Sequence, residues 1–372
     1  MLLSVAALVV SGWAWATWND FTSNITRVAA IGDSPGGGAT KRPDLDGKDQ
    51  NILIVGNDDR STASDAELKQ LGTTRDGGSL NTDTMMVLHV PANGQKATVM
   101  AIPRDSYVAI PGHGMNKINS AYASGFNDGQ GDKNTASRLA VQTVQNLTGL
   151  KIDHFVQVDL IGFYRISKAI HGVTVNMCAA VKEANSGIDL PKGKSTIQGT
   201  QALAFVRQRY GYTNGLGDLD RIHRQQYFLS AAFSKISSQL LRDPLSLPGL
   251  LKAISSSLTL DKHFDPRTLA QQMENLTAGN LTFTTIPTHG FADEDVGNVV
   301  VVHPPEVRAS IAALIGKSTA KSGAATSGPA KPGTATSGTA RPKAPASHAS
   351  TPGTGSSSGV TTAQQATSGC ID

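Results

Sequence analysis

The sequence predicts an α/β fold, a mixed central sheet covered by helices. Two patterns predict it. Three short apolar runs, at 51–56, 84–90 and 96–102, stand close together, with the turn signal Pro91-Ala92-Asn93-Gly94 between the second and third. Beyond residue 135, segments with helical and with strand periodicity alternate. The 372-residue length gives room for one large domain or two small ones, and a hydrophobic fraction of 39% supports a packed core.

Along the chain, residues 2–18 come first, apolar or small and without charge. That is about the shortest run that crosses a bilayer, roughly 17 residues, so 1–18 is expected to be a transmembrane anchor. A signal peptide is the alternative, because Ala14-Trp15-Ala16 resembles a cleavage site. Either reading places the remainder outside the cytoplasm. Residues 19–50 are polar around Pro35-Gly36-Gly37-Gly38 and read as a flexible linker.

The main domain is expected over 51–316. It opens on the strand at 51–56. The polar turn Asn57-Asp58-Asp59-Arg60 and a loop to Leu80 follow, then the two strands of the hairpin. Helical periodicity marks 135–147, 160–170, 201–209, 219–241 and 266–276; strands are expected at 154–158, 173–177 and 281–286.

Residues 317–372 are Ser/Thr/Ala/Gly/Pro-rich, with GAATSGPAKP at 323–332 nearly repeated as GTATSGTARP at 333–342. Such a stretch buries too little apolar surface to offset its ordering entropy and is expected to be a disordered tail. It also carries the chain's whole net charge of +4, through Lys317, Lys321, Lys331, Arg341 and Lys343 against Asp372. The neutral remainder lacks the positive excess that drives non-specific nucleic-acid binding, so no nucleic-acid partner is expected. Cys178 and Cys370 fit no metal spacing. In an oxidising compartment they are either a pair or two unrelated thiols.

Topology gathers a candidate site. If the second strand returns antiparallel to the first, Asp58 and Asp83 lie at one end of the sheet. The hairpin brings the exit of the third strand, Pro103-Arg104-Asp105, to the same end. Two carboxylates beside an arginine, with no Cys or His ligands, suit a hard cation such as Mg²⁺, with the arginine binding phosphate oxygens. The competing reading is turn and capping residues with a salt bridge. A second basic group follows. Arg207 and Arg209 end one apolar helical run, and Asp218-Leu219-Asp220-Arg221 opens a long helix. On that helix Arg221, Arg224 and Gln225 share a face. Arginines near a helix start make an anion site; a solvated basic face is the common alternative.

These blocks resemble the LytR–CpsA–Psr family. NILIVGNDDR at 51–60 looks like its opening strand and acidic turn, and TDTMMVLH at 82–89 like its second motif. IPRDS at 102–106 with KINSAY at 117–122 is similar to the third; GTQALAFVRQR at 199–209 and GDLDRIHRQQ at 217–226 are similar to the last two. Five blocks in the family's order are far more specific than any one.

The resemblance implies a deep apolar cavity for a polyprenyl chain. It implies Mg²⁺, or Mn²⁺, at Asp58 and Asp83. Catalytic roles then fall to Asp58, Asp83, Arg104, Arg207 and Arg221. Phosphate binding falls to Arg104, Arg207, Arg209 and Arg221, with Lys117, Arg224 and Gln225 beside them. Where many members carry an arginine before the second motif, this chain has Asn81; Arg75 is the nearest upstream.

The implied activity transfers a glycopolymer phosphate from a polyprenyl-pyrophosphate carrier to peptidoglycan, with Asp83 or Asp105 as the base. Apolar faces within 139–147, 161–170 and 227–241 are the expected cavity walls. A pyrophosphatase using the same site, and a non-catalytic wall-glycan binder or regulator, are the alternatives. No G-x-S-x-G or H-E-x-x-H occurs within 51–316.

Overall fold

The computed structural model describes residues 15–31, 49–208, 218–242, 247–273, 276, 280–323, 361–362 and 369–371. The described residues begin with α1 (15–23) and β1 (Thr26–Val28), then β2 (Gln50–Asp58), α2 (Asp65–Gln70), β3 (Ser79–Val90) and β4 (Ala97–Ala101). A small hairpin, β5 (Tyr107–Ile110) and β6 (Gly114–Lys117), precedes α3 (Ser120–Asp128) and α4 (Lys133–Thr148). The alternating half contains β7 (His154–Asp159), α5 (Leu160–Ala169), β8 (Val173–Met177), β9 (Val181–Glu183), β10 (Ile188–Leu190) and β11 (Gly193–Ile197). It continues with α6 (Thr200–Arg207), α7 (Asp218–Arg242), α8 (Leu247–Ser255), β12 (Leu258–Asp261) and α9 (Pro266–Gln272). Last come β13 (Leu281–Thr285), the hairpin β14 (Phe291–Glu294) and β15 (Gly297–Val300), α10 (Pro304–Gly323) and β16 (Thr361–Thr362).

Eight strands form one sheet in the order β1-β12-β7-β2-β3-β4-β13-β16. It is mixed, as the sequence predicts. β2 runs antiparallel to β3 and parallel to β7, and β3 runs antiparallel to β4. Alternation along β2 shows why these residues make a central strand: Leu53 and Val55 pack with α3, α4 and α10, while Ile52 packs on the other face with Phe21, Leu260 and Phe264. β8 and β11 pair with each other outside this sheet.

Two boundaries differ from the sequence reading. Part of the linker expected over 19–50 is structured, because Phe21 of α1 and Ile25 after it sit in the core and β1 pairs in parallel with β12. Residues 1–14 and 32–48 lie outside the described residues. Among the described residues no helix is long and apolar enough to cross a membrane.

The expected tail is also ordered at both ends: α10 runs to Gly323, and β16 pairs antiparallel with β13 at the sheet edge. Cys178 and Cys370 form a disulfide, and Ile371 bridges Met177 beside it. The anchor is covalent and backbone-bonded, so low apolar content does not decide these few residues. Residues 324–360 lie outside the described residues.

Candidate active site

The end of β2 is irregular. Register against β3 shifts between Gly56 and Asn57 and again before Asp58, so Asn57 faces Thr82 and Asp58 faces Ser79. Bulges bend a strand and re-aim its side chains. Gly78 permits the close crossing here, since a Cβ on it would collide with the carbonyl oxygen of Asp58. Asp58 and Asp83 consequently line one cavity. Asp59 lies apart from it, accepting from the Ser61 amide at 2.9 Å and facing Lys133 at 3.5 Å. Burial alone would raise the Asp59 carboxyl; the Ser61 bonds and the Lys133 charge take it below its usual range.

The cavity is about 570 Å³. Ile54 and Met86 of the sheet supply one wall, and Phe163 and Ile166 of α5 with Ile170 at its C-terminal cap another. From α7 come Phe228, Leu229, Ala232, Phe233 and Ile236, one apolar stripe at helical spacing. Two of the three expected wall segments are thus present. The third, 139–147 on α4, packs in the core cluster with α3 and α10 instead. Its helical stripe reads the same as a cavity wall in sequence.

Polar groups collect where the strands end. Asp58, Asp83, Arg207, Arg221 and Gln225 all line the cavity, as does Asp159. Asp159 caps α5 through the Gly162 amide at 2.5 Å. Burial, and then the charge of Asp59, push its carboxyl up.

Arg221 is 3% exposed and donates to the Asp83 carbonyl at 3.3 Å. Arg207 is half exposed, its Nη2 at 4.0 Å from Asp58. Arg104 Nη1 pairs with Asp83 Oδ1, and Asp105 stands between Arg104 Nε and Lys117 Nζ, each at 3.4 Å. Arg104 and Lys117 therefore reach the cavity through Asp83 and do not themselves line it.

Arg224 departs from expectation. It shares a helix face with Arg221 but is fully buried and donates to the Gln208 carbonyl at 2.5 Å, which ties α6 to α7. It packs the interior and does not belong to the mouth. Arg75 does not replace the missing arginine. It is engaged by the carbonyls of Ser61 and Ala63 and by Asp65. Arg209 lies outside the described residues.

Sequence reasoning missed Arg60, which grips Asp58 with two hydrogen bonds. The signal was its place two residues beyond Asp58 in the same turn.

Among the described residues no group of three or more His, Cys, Asp or Glu side chains could hold a metal ion, so a divalent cation at the mouth would keep much of its water shell. A carboxylate has about four acceptor sites, so Asp58 keeps lone pairs beyond its Arg60 bonds, and only Oδ1 of Asp83 is bonded to Arg104. Asn57, 5% exposed and also lining the cavity, has neither amide atom bonded. An unpaired buried amide costs about 1–3 kcal/mol. Cation-bound water or phosphate oxygens would satisfy it.

The sequence profile of the LytR_cpsA_psr family matches residues 25–311. The chain belongs to the LytR–CpsA–Psr family. It is 35% identical over 311 residues to the cell wall biosynthesis protein LcpA of Corynebacterium glutamicum, covering 77% of this chain and 58% of that protein. Against the polyisoprenyl-teichoic acid–peptidoglycan teichoic acid transferase TagU of Oceanobacillus iheyensis it is 37% identical over 188 residues, 50% of this chain and 52% of the other. The chain thus spans a little over half the length of these curated relatives.

Among solved structures, the LytR-Csp2A-Psr enzyme from Actinomyces oris aligns with a TM-score of 0.54 at 22% identity, over 72% of this chain and 89% of that one. TagT bound to LI-WTA aligns at 0.52 and 20% identity, over 72% and 90%. At these identities the likeness is one of fold. It confirms the mixed-sheet α/β architecture of the LytR–CpsA–Psr family for this chain.

Proposed function

We propose that the chain is a phosphotransferase that attaches a glycopolymer to peptidoglycan, taking it from a polyprenyl-pyrophosphate carrier and forming a phosphodiester. One observation carries this: a cavity walled largely by apolar side chains also carries carboxylates and guanidinium groups where the strands end. Such a lining suits a ligand with an apolar part joined to a charged head. The names of the transferase TagU and of TagT bound to LI-WTA support the same reading.

In this proposal the walls on α5 and α7 hold the polyprenyl chain. Arg207, Arg221 and Gln225 bind the pyrophosphate. Arg104 holds Asp83 in place, with Lys117 supporting Arg104 through Asp105. Asp58 and Asp83 would hold Mg²⁺, or Mn²⁺, which when bound neutralises phosphate charge. An acceptor hydroxyl attacks the phosphorus that bears the glycan. The bond from that phosphorus to the bridging oxygen breaks, and the lipid phosphate leaves with the electron pair. The hydroxyl proton passes to a carboxylate at the mouth, where Asp83 lines the cavity and Asp105 does not. Such a transfer needs positioning and charge stabilisation more than covalent chemistry.

A membrane-anchored, extracytoplasmic location is part of the proposal. The apolar run at 2–18 and the Cys178–Cys370 disulfide support it.

The test supplies the full chain with a polyprenyl-pyrophosphate disaccharide and a peptidoglycan oligomer, with and without Mg²⁺, in wild type, Asp83→Ala and Arg104→Ala. Metal-dependent attachment that falls roughly 10²–10³-fold in either variant is expected. Release of free phosphorylated glycan without attachment would instead identify a pyrophosphatase. No turnover, with glycan binding indifferent to metal and to both substitutions, would leave a binding protein.

A further inference from the structure

The apolar end of the cavity lies well away from its charged mouth. Arg221 and Gln225 stand at the mouth, and Ile236 is the last residue of α7 to line the cavity. From Arg221 to Ile236 the helix advances roughly 22 Å, at about 1.5 Å per residue. The volume of about 570 Å³ is that of a site for a drug-sized molecule, roughly 300–1,000 Å³. Only the units of a long polyprenyl chain nearest its phosphate fit such a volume, and the rest has to leave.

The element at the apolar end is α8. Its Leu250 and Ile254 pack with Phe228, Ala232 and Ile236 of the α7 stripe. Its Leu251, with Ile254 again, packs with Trp18 and Phe21 of α1. Ile54, which lines the cavity, packs against that second cluster too. α8 therefore stands between the apolar end of the cavity and α1.

The start of α1 overlaps the apolar run at 2–18 that is the proposed anchor. Trp15 on α1 is 70% exposed, the most of any large apolar side chain among the described residues. Lys252 is exposed on α8. Indole and lysine side chains suit the headgroup level of a bilayer, each with an apolar body and a polar end.

We infer that the polyprenyl tail leaves the cavity past α8, and that α1 and α8 form the edge of the domain that lies on the bilayer. The inference rests on the donor reading above. A tail that leaves at this edge passes straight into the lipid phase its carrier came from. The mouth is then held away from the bilayer, on the side of the wall acceptor.

The test has two arms, both on the full chain. Cys178 and Cys370 are bonded to each other, so an introduced thiol is the only one that takes a label. A fluorophore is placed on Lys252→Cys in α8, or on Gln142→Cys, exposed on α4 at the other face of the sheet. Each protein is put into vesicles of phosphatidylcholine and phosphatidylglycerol that contain a doxyl-lipid quencher. In the second arm, geranylgeranyl phosphate with a benzophenone at its far end photolabels the wild type, and the adduct is located by peptide mass.

The label at 252 is expected to lose most of its fluorescence to the quencher and the label at 142 to keep it. The photoadduct is expected on α8 or α1, and excess unmodified polyprenyl phosphate should remove it. Quenching at 142 equal to that at 252 would overturn the bilayer edge. An adduct confined to other elements would overturn the exit past α8. If no competable adduct forms, the donor reading itself fails and the exit falls with it, while the quenching still decides whether α8 lies on the bilayer.

Discussion

Arg60 holds Asp58 by two parallel hydrogen bonds, Nε to Oδ1 at 2.8 Å and Nη2 to Oδ2 at 2.5 Å. Both side chains are largely buried, and Arg60 also binds the Thr73 hydroxyl. One guanidinium therefore fixes a mouth carboxylate and the loop at Thr73. Arg60→Ala leaves the Asp58 charge buried without this partner. Breaking such a pair costs about 3–5 kcal/mol, a fall in Tm on the order of 10 °C. Arg60→Lys should recover only part, because an ammonium cannot supply two parallel bonds. Thermal melts of the three proteins check this. Equal melting of wild type and Arg60→Ala would show that the pair has no structural weight.

The disulfide closes a loop with a sequence separation of 192. Loops of this size confine the unfolded chain strongly, and a native disulfide typically contributes about 2–4 kcal/mol. Reduction, or Cys178→Ser, should lower stability by that order. It should also expose the chain near Ile371 to protease, since two backbone bonds hold it there, from the Ile371 amide to the Asn176 carbonyl and from the Cys178 amide to the Ile371 carbonyl. Melts with and without reductant, followed by limited proteolysis, test both parts. A Tm indifferent to reductant would refute the first.

Acid should act at Glu67. Bonds from Arg165 at 2.7 and 2.9 Å, with those from Ser64, hold its carboxyl down at about 2 against an ordinary 4.5. The folded-state value is depressed. The pair's stabilisation is therefore present above pH 4.5 and is lost as pH falls toward 2. Both side chains are partly open to water, so solvent screening keeps the contribution on the order of 1 kcal/mol. Glu67→Gln should lower stability at pH 7 by that amount and flatten the pH dependence between 4.5 and 2. Urea titrations at pH 7 and pH 3 measure it; parallel profiles for the two proteins would contradict it.

Much of the site was legible because it follows from strand order. Asp58, Asp83 and Arg104 sit where a strand end, a strand start and a hairpin exit meet, and antiparallel pairing of β2 with β3 and of β3 with β4 gathers them. Arg221 and Gln225, four residues apart on α7, were legible from helical spacing and both line the cavity. Arg224 was not, because periodicity gives its face but not the Gln208 carbonyl that draws it inward. β1 has three residues of mixed exposure and no periodicity to detect, and its place depends on β12, far along the chain. The pairing of β16 with β13 and the disulfide depend on equally distant partners. Local pattern is silent on such contacts.

The apolar cavity makes the sharpest demand on the lipid reading. Ala232 lies in the middle of the α7 stripe that lines it, between Phe228 and Ile236, and is 8% exposed. Ala232→Trp places a large ring where the cavity stands. The added apolar surface leaves water at about 25 cal/mol per Å², so fold stability should hold or rise provided the ring fits the void. Affinity for a polyprenyl-pyrophosphate donor should fall at least about tenfold, an estimate equal to losing one or two buried methylenes of lipid contact. A water-soluble phosphorylated disaccharide without the lipid should bind wild type and variant alike. Calorimetry with both ligands separates the causes. Loss for the lipid-linked donor alone identifies the cavity as the lipid's place. Loss for both means that the ring has disturbed the mouth, and Ala232→Leu, a smaller intrusion into the same wall, then decides. If Ala232→Leu and Ala232→Trp both bind the lipid-linked donor as wild type does, the chain holds its lipid elsewhere.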